Sequence, residues 1–209
     1  LVRSDVNVIM FDEPLTVIDP HLKWELRSKL KELHQRIRRT MIYVTHDQTE
    51  ALTFADKVVV MNEGQVVQIG TPVELFEQPM HTFVGHFIGS PGMNLIAADV
   101  KGGKAVIGGT EIETTNAGAY RGGAKAVQLG IRPEFVKFSS EGLPVQVTKV
   151  TDAGRFNIVT VRAGDSAIKL LIPQGQDIPA GRAHVAFDPA RARIYADGWL
   201  VGAHAGAAA

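Results

Sequence analysis

The amino-acid sequence predicts two regions of different fold class. An α/β region with a mainly parallel sheet is expected over residues 1–86, and an all-β region over residues 87–209. Helix-like and strand-like periods alternate in the first region, whereas short β-rich runs fill the second. Glycine supports the same division, since 18 of the 21 glycines fall in residues 87–209. The Gly, Ser and Pro residues of segment 87–92 mark the boundary.

The α/β region is expected to begin with a strand, a helix and a second strand. Residues 8–11 form a continuous apolar run, which is typical of a strand buried on both faces of a parallel sheet, and residues 41–44 form another. Between them, Asp19 and Pro20 open a helix, because Pro suits the first helical position. The apolar stripe of this helix recurs at spacings of three and four: Leu22, Leu26, Leu30, Leu33 and Ile37.

The rest of the region follows the same alternation. Residues 47–50 read Asp-Gln-Thr-Glu, which resembles a capping box and predicts a helix start. Residues 58–61 form a third apolar run, and a turn at residues 62–64 leads into the segment 65–70. Thr71, Pro72 and Glu74 then have the pattern of another helix start.

The all-β region is predicted from short runs at near-regular spacing. Strands are expected at residues 127–131, 145–150, 158–161 and 167–172, several of which alternate apolar and polar residues. Such strands favour a small barrel or a sandwich. Residues 203–209, rich in alanine, have no anchoring pattern, so a frayed or disordered tail is expected there.

Composition excludes several classes of function. Lys plus Arg and Asp plus Glu both total 22, so the formal charge is zero and gives no indication of a nucleic-acid partner. No cysteine is present, which excludes disulfides and thiolate metal sites. The apolar runs are shorter than the roughly 18 residues of a membrane span. Because the chain begins with Leu1 inside an α/β pattern, we expect it to be a fragment.

Two carboxylates mark the expected site. Asp12 and Glu13 follow the first strand, at the carboxyl edge where open α/β sheets bind ligands. One carboxylate can hold Mg²⁺, while the next can accept a proton from a water that attacks a terminal phosphate. The structural alternative is that these acidic residues only end a strand and cap the next segment.

His46 follows the second strand and is expected at the same edge. A histidine there can donate a hydrogen bond to a phosphate oxygen or orient the attacking water. The alternative is a loop histidine without a role. Asp19 likewise has a structural alternative, as the N-cap of the helix that Pro20 opens.

These residues, in this order and spacing, resemble the nucleotide-binding subunits of ABC importers. The resemblance rests on residues 12–15, Asp19, residues 44–51 and residues 55–72. It implies a P-loop ATPase domain that uses ATP and Mg²⁺, with Asp12 on the metal and Glu13 as general base. It further implies that Asp19 lies at a dimer interface and that His46 contacts the γ-phosphate.

The all-β region extends the resemblance. Residues 87–94 and 129–134 are similar to the C-terminal extension of the carbohydrate and polyol subfamily, an OB-like TOBE domain that helps subunits pair and can receive regulatory signals. The implied partners are a second ATPase subunit, transmembrane permease subunits and, indirectly, a solute-binding protein, at the cytoplasmic face of the cell membrane. We interpret Arg132 and Glu134 as a salt-bridged turn around Pro133.

Two departures limit the expected activity. The sequence contains neither G-x-x-x-x-G-K-[ST] nor the signature Leu-Ser-Gly-Gly-Gln, so the 209 residues alone are expected to hydrolyse ATP negligibly. Thr16-Val17-Ile18 replaces the commoner Ser-Asn-Leu, as in a polyol-associated subgroup. The alternatives are a non-catalytic regulatory and dimerisation module and a DNA-repair ATPase of the same superfamily, which the Gly-rich β region argues against.

Overall fold

The computed structural model describes residues 6–203. Its helices are α1 (Pro20–Ile37), α2 (Gln48–Phe54), α3 (Pro72–Glu77) and α4 (Thr82–Phe87). Its strands are β1 (Val8–Asp12), β2 (Thr40–Val44), β3 (Val58–Asn62), β4 (Gln65–Gly70), β5 (Asn94–Ala97), β6 (Asp99–Lys101), β7 (Lys104–Ile107), β8 (Thr110–Ile112), β9 (Val127–Ile131), β10 (Val136–Ser139), β11 (Leu143–Asp152), β12 (Phe156–Ala163), β13 (Ser166–Pro173), β14 (Arg182–Phe187), β15 (Arg193–Ala196) and β16 (Trp199–Leu200). The predicted tail lies outside the described residues, apart from Ala203.

Within the described residues, 6–58 and 70–72 form one compact unit, and 59–69 and 73–203 form a second. In the first unit, β1 and β2 run parallel, with Val8 opposite Thr40 and Asp12 opposite Val44. Helix α1 connects the two strands, because parallel neighbours need a crossover. The carboxyl ends of β1 and β2 therefore lie side by side.

The predicted burial of β1 and β2 on both faces is wrong. Met10 is 68% exposed, and Val8, Ile42 and Val44 are also exposed. In the described part of the chain these strands form a two-stranded sheet. The face that carries these four exposed side chains is therefore not covered by a further strand or a second helical layer there. The predicted stripe on α1 is similarly incomplete, since Leu22 is exposed and its other members are half-buried.

The second unit is built mainly from antiparallel strands, as the sequence predicts for residues 87–209. One sheet has the order β10-β14-β11-β12-β13, and another has the order β16-β15-β9-β5. Strands β3 and β4 form a hairpin, and β6, β7 and β8 form a three-stranded sheet. The predicted strands at residues 127–131, 145–150, 158–161 and 167–172 are confirmed as parts of β9, β11, β12 and β13.

Both large sheets contribute to one apolar core. Alternating residues of their strands are fully buried: Ile96, Leu129, Ile131, Val159, Val161, Ile168, Leu170, Val185 and Ile194. The side chain of Asn94 joins the sheets, because its amide donates to the Lys169 carbonyl at 2.9 Å and accepts from the Lys169 N–H at 2.8 Å. Asn94 thus pairs β5 with β13 as a backbone segment would.

The predicted turn around Pro133 is confirmed, but among the described residues no salt bridge joins Arg132 to Glu134. Arg132 is only 4% exposed, and its guanidinium donates to the carbonyls of Phe76 at 2.7 Å and Ile88 at 2.6 Å. It also stacks on the Phe76 ring, with 3.8 Å between Cζ and the ring centroid. Carbonyls at helix ends lack intrahelical partners, and Arg132 satisfies those at the ends of α3 and α4. Burial lowers the pKa of Arg132 to about 10.

Among residues 6–203, no helix combines the length and apolar character that a membrane span requires.

Candidate functional site

The candidate site lies where β1 and β2 end. Glu13 directly follows β1, and its N–H donates to the Val44 carbonyl at 2.9 Å, which ties it to the end of β2. Its backbone is left-handed, with φ of 45°, a conformation that residues with a Cβ rarely adopt. Thr16 fixes the side chain, since its hydroxyl donates to Glu13 Oε2 at 3.0 Å.

The structure brings Glu13 and His46 into contact. Nδ1 of His46 lies 3.0 Å from Oε1 of Glu13, and the side chains are 69% and 43% exposed, respectively. The hydrogen bond from His46, followed by that from Thr16, lowers the pKa of Glu13 below its ordinary range. The same bond, supported by the charge of Glu13, raises the pKa of His46. The pair therefore favours a carboxylate beside an imidazolium.

Asp12 and Asp19 are placed differently. Asp12 ends β1 opposite Val44, directly before Glu13 in the chain. Asp19 precedes α1 at the N-cap position, but its carboxylate makes no capping hydrogen bond and instead lies 2.9 Å from Nδ1 of His21. The predicted N-cap position of Asp19 is therefore confirmed, although its side chain does not cap the helix. In residues 6–203, no hydrogen bond or ion pair links Asp19 to Glu13 or His46.

The loop that carries His46 is held by residues on both sides. Asp47 caps α2, because its carboxylate accepts from the N–H groups of Thr49 at 2.8 Å and Glu50 at 3.3 Å. The N–H of Asp47 donates to the hydroxyl of Thr45 at 3.0 Å. The His46 backbone therefore lies between two anchored neighbours.

Glu50 is the residue near the site that sequence reasoning missed. A capping box would turn its carboxylate back to the Asp47 N–H, but Glu50 instead accepts from the hydroxyls of Tyr43 at 2.9 Å and Thr45 at 3.0 Å. It is 3% exposed, and Nζ of Lys23 lies 3.8 Å from its other oxygen. Burial and the bond to Glu50 raise the pKa of Tyr43. The sequence pattern of residues 47–50 gave no indication of these contacts, because they join residues of α1, β2 and α2.

The carboxylates at this site fit Mg²⁺ only if water and substrate phosphates supply the remaining ligands. Within residues 6–203, no group of three or more His, Cys, Asp and Glu side chains is arranged to hold a metal ion. Mg²⁺ commonly takes one or two carboxylates and completes its shell with water and substrate phosphates. Asp12 supplies a carboxylate of that kind, while both oxygens of Glu13 already accept hydrogen bonds.

Several known proteins are similar to this chain. Residues 89–136 match the MalK OB fold domain. The sn-glycerol-3-phosphate import ATP-binding protein UgpC of Salmonella paratyphi A is 42% identical over 180 residues, which cover 83% of this chain and 50% of UgpC. The uncharacterized ABC transporter ATP-binding protein y4oS of Sinorhizobium fredii is 40% identical over 184 residues, or 85% of this chain and 48% of y4oS. This chain thus spans about half the length of these relatives.

Among solved structures, the cytoplasmic molybdate-binding protein ModG aligns with 50% of this chain and 95% of its own. The TM-score is 0.38 and the sequence identity is 10%. We draw no functional conclusion from a likeness at this level.

Proposed function

Since the chain is a homologue of the ATP-binding proteins of ABC transporters over more than four fifths of its length, we propose that it forms part of an ATP-hydrolysing importer subunit. Residues 1–86 belong to a P-loop ATPase domain in this proposal, and residues 87–209 to a TOBE domain. The subunit pairs with a second ATPase subunit and docks on permease subunits at the cytoplasmic membrane face. A solute-binding protein delivers the solute to the permease.

The contact between Glu13 and His46 is the observation that carries the proposal. Water attack on a terminal phosphate needs a proton acceptor near the water and a donor near the phosphate. Glu13 provides the acceptor and His46 the donor, and their atoms lie 3.0 Å apart at the carboxyl edge of a parallel strand pair. An isolated loop histidine does not require such an arrangement.

The charge states suggest how the pair acts. Nδ1 of His46 is engaged by Glu13, and the raised pKa of His46 keeps a proton on Nε2, which is then free to donate to a phosphate oxygen. The lowered pKa of Glu13 makes it a weaker base while the contact persists. We therefore propose that the His46 ring rotates from Glu13 toward the nucleotide while its loop stays fixed, which restores the basicity of Glu13 when water is in place.

Asp12 and Asp19 complete the proposed set. Asp12 would hold Mg²⁺, directly or through water, together with phosphate oxygens of ATP. When bound, Mg²⁺ neutralises the charge that develops on the phosphates. Asp19, which lies apart from Glu13 and His46 in the described contacts, is assigned to the interface with the second subunit.

The solute is proposed by class only. UgpC is named for the import of sn-glycerol-3-phosphate, and residues 89–136 match an OB domain named for MalK. A sugar or a polyol derivative is the solute class that these relatives favour. Uptake assays with the permease partners would identify it.

Substitution of Glu13 tests the proposal. In the complete subunit assembled with its permease, Glu13→Gln should retain Mg²⁺-ATP binding and abolish steady-state phosphate release, because the amide cannot accept the proton of the attacking water. The matched control is Glu25→Gln, which removes an exposed carboxylate that pairs with Lys29 on α1. Undiminished phosphate release by Glu13→Gln would refute the role of Glu13. His46→Ala should also lose turnover.

The second candidate is a non-catalytic regulatory and dimerisation module, which the OB domain match favours. The two functions differ in nucleotide affinity. We propose that the 209-residue chain alone hydrolyses ATP negligibly, since its sequence carries no phosphate-binding loop. Micromolar Mg²⁺-ATP binding by this chain, measured by isothermal titration calorimetry, would contradict the module interpretation.

A further inference from the structure

Glu50 is a buried carboxylate with no role in the chemistry proposed above. Charged side chains are rarely this buried unless hydrogen-bonded or paired, because removal from water is costly. Glu50 meets this condition with two hydroxyl donors, Tyr43 and Thr45, and with Lys23 nearby. These partners lie on β2, on the loop that follows it and on α1.

Thr45 connects Glu50 to the loop of His46. Its hydroxyl donates to Glu50 and accepts from the N–H of Asp47, so one side chain fixes the residues before and after His46. The Val44 carbonyl is fixed as well, by the N–H of Glu13. The backbone on both sides of His46 is therefore held by a framework whose buried end is Glu50.

We infer that Glu50 is a positioning residue for His46: through Thr45 it holds the loop in the orientation that places the imidazole on Glu13. This inference rests on the proposed function for its consequence in catalysis, but the geometry can be tested without ATP. Lys23 extends the framework to α1, one turn after Asp19, since its ammonium lies 3.8 Å from Glu50.

The charges around His46 come from several elements. Glu13 follows β1, Asp47 and Glu50 belong to the start of α2, and all three favour the protonated imidazole. Lys23 on α1 faces Glu50. Loss of the Glu50 charge and displacement of His46 from Glu13 should both shift the titration of His46 toward lower pH, so the variants of Thr45, which keep the Glu50 charge, separate the two effects.

The first experiment is an NMR titration of the His46 ring protons in the 209-residue chain. Glu50→Gln should lower the pKa of His46 relative to the parent chain, whereas Glu25→Gln, the same change on an exposed carboxylate, should not. An unchanged His46 titration in a folded Glu50→Gln variant would overturn the inference. The result does not depend on whether the protein hydrolyses ATP.

A second pair of variants covers the case in which Glu50→Gln fails to fold. Thr45→Val removes the hydroxyl that joins Glu50 to Asp47, while Thr45→Ser keeps it. Thr45→Val should lower the pKa of His46 and Thr45→Ser should restore it. Thr53→Val is the control, because Thr53 donates only to a carbonyl on the exposed side of α2. Equal titrations for the Ser and Val variants would contradict the framework.

Turnover separates positioning from nucleotide binding. In the assembled transporter, Glu50→Gln and Thr45→Val should lower kcat by roughly ten- to a hundred-fold with little change in KM for ATP, since small displacements of catalytic groups have effects of this size. A parent protein that hydrolyses no ATP would refute the proposed function but leave the NMR test intact. A rise in KM with unchanged kcat would refute the positioning role.

Discussion

Glu13 and His46 shift each other's pKa through a single hydrogen bond. The direction of each shift defines the pH range in which the contact is stabilising. The pKa of Glu13 is lowered from its ordinary 4.5, so its contribution to the contact is present above that value and is lost as the pH falls through the folded pKa. The pKa of His46 is raised from its ordinary 6.5, so its contribution is present below 6.5 and is lost as the pH rises through the folded pKa. Both are fully present between these two ordinary values.

This coupling predicts the effect of Glu13→Gln on His46. Without the carboxylate, the imidazolium loses its main partner, and the pKa of His46 should fall toward its ordinary value. NMR titration of the ring protons measures the shift. Asp19→Asn is the matched control, because Asp19 contacts a different histidine, His21. A His46 titration that is the same in Glu13→Gln and in the parent chain would show that the contact does not persist in solution.

At the level of elements, the sequence predicted the parts of the fold that have a clear local pattern. The strand at residues 127–131 and helix α1 have clear periods and were confirmed. Strands β6 and β8, with three residues each, are too short to show a period. Helix α4 was missed because its N-cap is His81, whose Nδ1 accepts from the Phe83 N–H, and histidine is not a usual capping residue.

The candidate site, too, could be predicted from the sequence only in part. The convergence of Glu13 and His46 could be expected, because both follow strands whose carboxyl ends meet at one edge. Their catalytic roles stay predictions. The contacts of Glu50 could not be expected, since they join β2, the loop that follows it and α1. The contacts of Arg132, which lies outside this site, could not be expected either, since it bonds to carbonyls 44 and 56 residues away in sequence. Contacts of this kind leave no periodic signal.

Asn94 gives a prediction about how two sheets are joined. Asn94→Ala would leave the N–H and carbonyl of Lys169 without these buried partners, so the free energy of unfolding should fall by about 2–4 kcal/mol. Urea denaturation measures the loss.

Asn94→Asp separates the two bonds, since a carboxylate can accept from the N–H but cannot donate to the carbonyl. Thr151→Ala, at an exposed position of β11, should change stability by less than about 0.5 kcal/mol. An equally small change for Asn94→Ala would show that the amide is not a structural link.

At the level of the whole molecule, burial differs strongly between the two compact units. Val159 and Val161 of β12 are fully buried, whereas Val8 and Met10 of β1 are 47% and 68% exposed. Backbone hydrogen bonds in well-packed strands open only with large structural fluctuations, and poorly covered strands open locally. The amides of β12 should therefore exchange with deuterium at least about ten-fold more slowly than those of β1.

Hydrogen exchange followed by mass spectrometry measures this difference in peptides that cover residues 156–163 and 8–12. Rates are compared after correction for the intrinsic exchange of each sequence. Equal protection of the two segments would show that β1 is covered in solution by contacts that residues 6–203 do not supply.

The left-handed backbone of Glu13 has a consequence for protein engineering. Only glycine, and to a lesser degree asparagine, adopts φ near 45° without appreciable cost, so Glu13 occupies a position that its own type disfavours by about 1 kcal/mol. Glu13→Gln keeps this conflict, whereas Glu13→Gly relieves it. Directed evolution for heat resistance alone would thus tend to discard the proposed base. Selection that includes transport would be needed to retain it.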